Sequence, residues 1–114
     1  MKKMAGMLLL SWAFAAHGEA PAGDAARGKA LFMKDMCYTC HGTAGQGGDR
    51  GSGPRIAPNT FPWEGFSQQV RHPREQMPRY SEKFVSTQDL ADIHAYLVSQ
   101  PASAKVLPSL LKGD

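Results

Sequence analysis

Apolar positions recur with helical spacing most clearly near the C-terminal end of the chain. Leu90, Ile93, His94, Leu97 and Val98 fall on one stripe. Ser86-Thr87-Gln88-Asp89 ahead of them has the character of a capping box, and Pro101 stops the run. A second helix is predicted over 25–36, with Asp24 as its N-cap. A short third one is predicted over 63–71, ended by His72-Pro73. Between these, 42–58 is rich in Gly and Pro, with Gly45, Gly47, Gly48, Gly51 and Gly53, and reads as loop. The stretch 74–85 reads as irregular. No convincing strand, repeat or second domain stands out. The pattern predicts an all-α chain of helices joined by long loops.

The first twenty residues follow another logic. Met1-Lys2-Lys3 is a basic start, and 7–16 is an apolar stretch too short to span a bilayer. Small residues over 13–20 then permit cleavage between Ala15 and Ala20. The expectation is a cleavable export signal over 1–20 and one domain over 21–114; an uncleaved anchor is the alternative. No later segment reads as membrane-spanning. The chain carries 13 basic and 10 acidic residues, a formal net charge of +3. Without Lys2, Lys3 and Glu19 the balance is 11 against 9, and no basic run suggests a nucleic-acid partner. A domain this small makes a thin core from its own apolar side chains.

Chemistry concentrates in Cys37-Tyr38-Thr39-Cys40-His41, which holds both cysteines of the chain. Two thiols three positions apart on one helical turn project to the same side. There each can form a thioether with a vinyl group of a haem, and the histidine four residues after the first thiol can present an imidazole nitrogen to the iron. Three other uses of such a pair fit less well. A thioredoxin-type redox pair needs a βαβ setting. A structural zinc site needs four ligands, and His17, His72 and His94 lack the spacing. A disulfide between Cys37 and Cys40 would close too small a loop to constrain much. Covalent haem attachment takes place outside the bacterial cytoplasmic membrane, so the motif and the export signal agree on a periplasmic protein. Two haem propionates would roughly cancel the residual charge.

A low-spin electron carrier needs a second axial ligand. Met33, Met36, Met77, His72 and His94 are the candidates after the signal. Met33 and Met36 precede the motif too closely to reach the other haem face easily. His94 lies on the apolar stripe, and His72 sits at a helix end before a proline. Met77 lies 36 residues beyond His41, in the irregular segment, with Pro78 stiffening the backbone after it. Location favours Met77, with His72 or an open iron site as the alternatives.

From Asp24 to about Gln100 the chain resembles the class I monohaem cytochromes c, on the attachment motif and the Met77-Pro78 pair. The resemblance implies an all-α fold of three to five helices around one covalently bound haem c, with Cys37 and Cys40 as attachment points and His41 and Met77 as iron ligands. It implies that the first and last helices cross beside the haem, with Gly28 and Phe32 meeting Tyr96. Gly53-Pro54 matches the family position where a proline carbonyl accepts a hydrogen bond from the ligand histidine's other nitrogen. Ile56 is then an apolar haem contact, and Arg55, Arg71, Arg79 and Trp63 are candidates for the propionates. The implied function is one-electron transfer, not enzymatic turnover.

The stretch 66–96, with Arg71-x-Pro73-Arg74-x-x-Met77-Pro78-x-Tyr80, is similar to small cytochromes that serve periplasmic dehydrogenases. Those include cytochrome subunits of flavin-dependent hydroxylases of the p-cresol methylhydroxylase and eugenol hydroxylase kind, and free carriers for flavoprotein or quinoprotein dehydrogenases. The likeness implies a periplasmic dehydrogenase, of flavoprotein type, as donor and a respiratory oxidase or another cytochrome as acceptor. Two competing readings are a tightly bound subunit of a dehydrogenase or hydroxylase, and a haem sensor or peroxidase with an open iron site.

Overall fold

Asp24 opens α1 (Ala25–Lys34) by accepting the backbone N–H groups of Ala26 and Arg27 at 2.9 and 3.0 Å. The computed structural model describes residues 20–48, 53–59 and 61–102, so the predicted signal over 1–20 and the tail over 103–114 fall almost wholly outside it. After α1 come a single turn, α2 (Tyr38–His41), then α3 (Trp63–Arg71) and α4 (Thr87–Ser99). Among the described residues there is no strand, and the architecture is all-α as expected.

The first helix stops two residues earlier than its sequence suggests. Met36 takes a left-handed backbone with φ +62°. Its N–H bonds the carbonyl of Met33 at 3.2 Å, and that of Cys37 bonds Phe32 at 3.1 Å. This is a Schellman ending with methionine where glycine is usual. It turns the chain so that α2 starts on an axis of its own.

The fourth helix begins with both halves of the capping box. The Ser86 hydroxyl accepts from the Asp89 N–H at 3.0 Å, and the Asp89 carboxylate accepts from the Ser86 N–H at 3.1 Å. It crosses α1 at Gly28, where a Cβ would come within 1.8 Å of the Asp92 carbonyl oxygen. Only a residue without a side chain fits there. One turn on, the rings of Phe32 and Tyr96 meet at 5.6 Å between centroids, tilted by 58°. Leu31, Phe32, Val85, Leu90, Ile93, Tyr96 and Leu97 are the buried apolar residues of this crossing, and Val70 of α3 joins them.

The crossing also buries a charge. Asp92 is 2 % exposed. Its carboxylate accepts from the Asp24 N–H at 2.8 Å, from Gln88 Nε2 at 3.0 Å and from the Arg27 guanidinium. The other guanidinium nitrogen of Arg27 meets Asp89 at 2.6 Å. Burial alone would raise the Asp92 pKa, but these donors together hold it below the usual carboxylate value. So α4 is buried on two sides: 90, 93 and 97 face the core, and 92 and 96 face α1. Val98, on the predicted stripe, is exposed.

Candidate functional site

The attachment turn is α2, whose N-cap is Cys37. The His41 N–H bonds the Cys37 carbonyl at 3.1 Å, which sets the imidazole one turn above the first thiol. Cys37 and Cys40 are half-buried and not joined to each other. Burial, with a smaller contribution from the charge of Asp35, pushes the Cys37 thiol up to about 11. A thiol held protonated in this way is a poor redox nucleophile. Among the described residues, no group of three or more His, Cys, Asp or Glu gathers to hold a metal ion.

The loop after α2 folds back beneath the histidine. His41 Nδ1 lies 2.8 Å from the Pro54 carbonyl oxygen. A carbonyl only accepts, so Nδ1 carries the proton and the Nε2 lone pair is left available. Glycines make this fit possible. At Gly53 a Cβ would stand 2.8 Å from His41 Nδ1 and 2.7 Å from the Cys40 carbonyl oxygen. At Gly45, where φ is +69°, the carbonyl accepts from both Ile56 and Ala57, at 2.8 and 2.9 Å. The Tyr96 hydroxyl donates to the Thr43 carbonyl at 2.7 Å and ties the loop to α4.

Met77 is half-buried, and Gln69 Nε2 approaches its sulfur at 3.8 Å. Together with Cys37, Tyr38, Ile56, Trp63, Phe66 and Tyr80 it forms a set of half-buried apolar side chains packed against the core. Arg71 holds the segment after Met77 in place. Its Nη1 donates to the carbonyls of Tyr80 and Val85 at 3.2 and 2.7 Å, so most of its reach is spent on the backbone. The other predicted ligands are placed apart: Met33 and Met36 are exposed, and His72 is exposed at the end of α3. His94 stands edge-on to Trp63 and Phe66, with ring centroids 5.6 and 5.0 Å away. Arg79 is exposed, and Arg55 Nε donates to the Ala57 carbonyl at 2.7 Å.

A flat apolar body with carboxylates at its edge suits these surroundings. Half-buried apolar side chains flank the core, and three buried polar nitrogens (Asn59 Nδ2, Arg71 Nη2 and His94 Nε2) have no hydrogen-bond partner among the described residues. The family model described as cytochrome c oxidase, cbb3-type, subunit III matches residues 23–97, from just before α1 almost to the end of α4. The chain belongs to this family. As a class I monohaem cytochrome c domain it has a haem electron-transfer role, and the family implies a covalent haem c. Neither the curated proteins nor the solved structures give a match. No helix among the described residues is long and apolar enough to cross a membrane.

For this cytochrome, sequence reasoning passed over Gln69, which steadies the Met77 sulfur, and Asn59, which is buried beside α4. Neither carries a motif. Only the fold shows that each faces something.

Proposed function

We propose that the protein is a periplasmic one-electron carrier in which Cys37 and Cys40 hold the haem covalently and His41 and Met77 ligate its iron. The observation that carries this reading is the contact of His41 Nδ1 with the Pro54 carbonyl, on the same turn as both thiols. When bound, the haem supplies a reversible Fe(III)/Fe(II) couple. The protein's own groups orient and enclose it. Pro54 fixes the imidazole's tautomer and makes Nε2 the better donor. Gln69 orients the Met77 thioether, and Arg71 restrains the backbone just beyond it. Ile56, Trp63, Phe66 and Tyr80 supply apolar walls.

The donor in this reading is a periplasmic dehydrogenase of flavoprotein type, and the acceptor is a respiratory oxidase or another cytochrome. The likeness over 66–96 supports the donor class. A second reading, a permanent subunit of a larger oxidoreductase, draws support from the family's description, which names an oxidase subunit. Exposed Phe84 (74 %) and Met36 (57 %) also offer it apolar surface.

The test begins with intact mass and visible spectra of the exported protein. One haem's added mass is expected, together with the weak long-wavelength band of sulfur-ligated ferric haem. Met77→Ala should abolish that band while the added mass stays. Persistence of the band in Met77→Ala would overturn the ligand, and a bare-peptide mass would overturn the whole reading. Migration as a free monomer at high salt supports the carrier; co-purification with another oxidoreductase supports the subunit.

A further inference from the structure

We propose that Asp35 is a proton-binding site linked to the electron: the protein takes up a proton there when its haem is reduced and releases it on oxidation. This deepens the carrier reading and rests on it. One electron from the donor converts Fe(III) to Fe(II), and one proton from solvent converts the Asp35 carboxylate to the acid. Both leave again on reoxidation.

Asp35 is a carboxylate without donors. It caps the C-terminal end of α1, and its side chain is 14 % exposed. Oδ2 is buried and has no hydrogen-bond partner among the described residues. Oδ1 has only the ammonium of Lys34, 4.0 Å away on an exposed side chain. Asp92 is the contrast, since three donors hold that buried acid ionised. A carboxylate that accepts so little loses little on protonation, and burial favours its neutral form. Burial accordingly raises the Asp35 pKa above the ordinary carboxylate value; Lys34 opposes the rise and Asp89 adds to it. Asp89 is itself paired with Arg27.

Protons can reach it. Asp35 lies in the lining of a groove of about 440 Å³, with Lys34 and Met36 on one side and Arg79, Tyr80 and Phe84 on the other. Met36 and Phe84 are exposed at its rims, so the groove stands open to water. Arg79 makes no ion pair among the described residues. The Tyr80 hydroxyl donates to the Asp35 backbone carbonyl at 2.9 Å and leaves the carboxylate alone.

The link to the electron follows from where Asp35 sits. Cys37, two residues on, is one of the attachment points, and the charge of Asp35 contributes to raising its thiol. Tyr80, bonded to the Asp35 carbonyl, belongs with Cys37 and Met77 to the half-buried set packed on the core. A porphyrin fixed at Cys37 therefore lies within the field of this carboxylate. Reduction removes one positive charge from the iron centre, and a carboxylate beside a smaller positive charge binds its proton more tightly. The potential then falls as pH rises through the range in which only the reduced state holds the proton.

Redox titration of the full-length haem-loaded protein at a series of pH values tests the site. The wild-type midpoint potential should fall with rising pH between two breaks, with about tenfold tighter proton binding in the reduced state. Asp35→Asn keeps the shape of the side chain and cannot ionise. It should lose this window and hold the wild type's acid-limb potential through neutral pH, and any window common to both proteins belongs to the haem's own carboxylates. Lys34→Gln, a change at an exposed side chain, should move the Asp35 breaks to higher pH. The reduced-minus-oxidised infrared spectrum should gain a protonated-carboxyl band that Asp35→Asn lacks. An unchanged window and band in Asp35→Asn, with haem attached, would overturn the proton site and leave the carrier reading standing, as would a wild-type potential that is flat with pH. A parent protein without attached haem would overturn both.

Discussion

The α1–α4 crossing and the wall formed by residues 53–80 use polar groups in opposite ways. At the crossing the buried charge is answered by its neighbours. Asp92 is buried but accepts from Asp24, Arg27 and Gln88, and the Ser86–Asp89 box closes on itself. Along the wall, Asn59 Nδ2 and Arg71 Nη2 are buried without partners among the described residues. The crossing is finished by protein alone and sets the fold. The wall is shaped toward something else, and there the chemistry resides. A self-sufficient seam can therefore carry a wall whose composition is free to follow its ligand.

The sharpest way to break this contrast is at Gly28. Gly28→Val puts atoms within the reach of the Asp92 backbone, where even a Cβ lies at 1.8 Å. The helices must separate, with a loss of about 3 kcal/mol or more in denaturant unfolding. A tolerated valine would mean that the seam does not set the fold.

Asp92→Ala comes next. It strands the Asp24 N–H and one side of Arg27, and a loss of about 2 kcal/mol at neutral pH is expected. The same groups give the seam an acid sensitivity. Burial pulls Asp89 and Asp92 upward, but their donors hold both below the ordinary carboxylate value when folded. The unfolded chain therefore takes up more protons in acid. The stabilisation is complete above the unfolded value near ~4 and is lost as pH falls through it toward the folded values. Thermal midpoints measured from pH 6 down to pH 3 should fall in the wild type, and fall less steeply in Asp92→Ala.

On the wall, Gly53→Ala pushes against His41 Nδ1 and the Cys40 carbonyl. About 1–2 kcal/mol of stability should go, and a weakened Pro54 contact should appear as a changed histidine Nδ1–H signal in NMR spectra. Equal stability with an unchanged signal would show that this loop does not clamp the histidine. The smallest effect is expected from Tyr96→Phe, which keeps the ring against Phe32 but loses the bond to Thr43, for about 1 kcal/mol.

Much of the fold was legible where punctuation is local. Pro62 and the His72-Pro73 pair bracket α3, and its bounds fall where the sequence puts them. Asp24 and the Ser86–Asp89 box announce their helices through bonds two or three residues long. The end of α1 was illegible because its left-handed residue is Met36, and nothing in a methionine advertises that conformation. Asp92 was missed because a charged residue on a helix reads as solvent-facing until its partners on α1 are known. The site divides in the same way. The two thiols and His41 are neighbours in sequence, and Pro54 was reachable only through the family likeness. Asn59 owes its burial to the Leu97 carbonyl, 38 residues away, which no spacing rule reaches.

The bonds from Tyr96 to Thr43 and from Asn59 to Leu97 make the last helix the fastener of the loop beneath His41. A chain in which residues 87–99 have not yet docked lacks both bonds, so the loop that carries Pro54 to His41 is unsecured until α4 is in place.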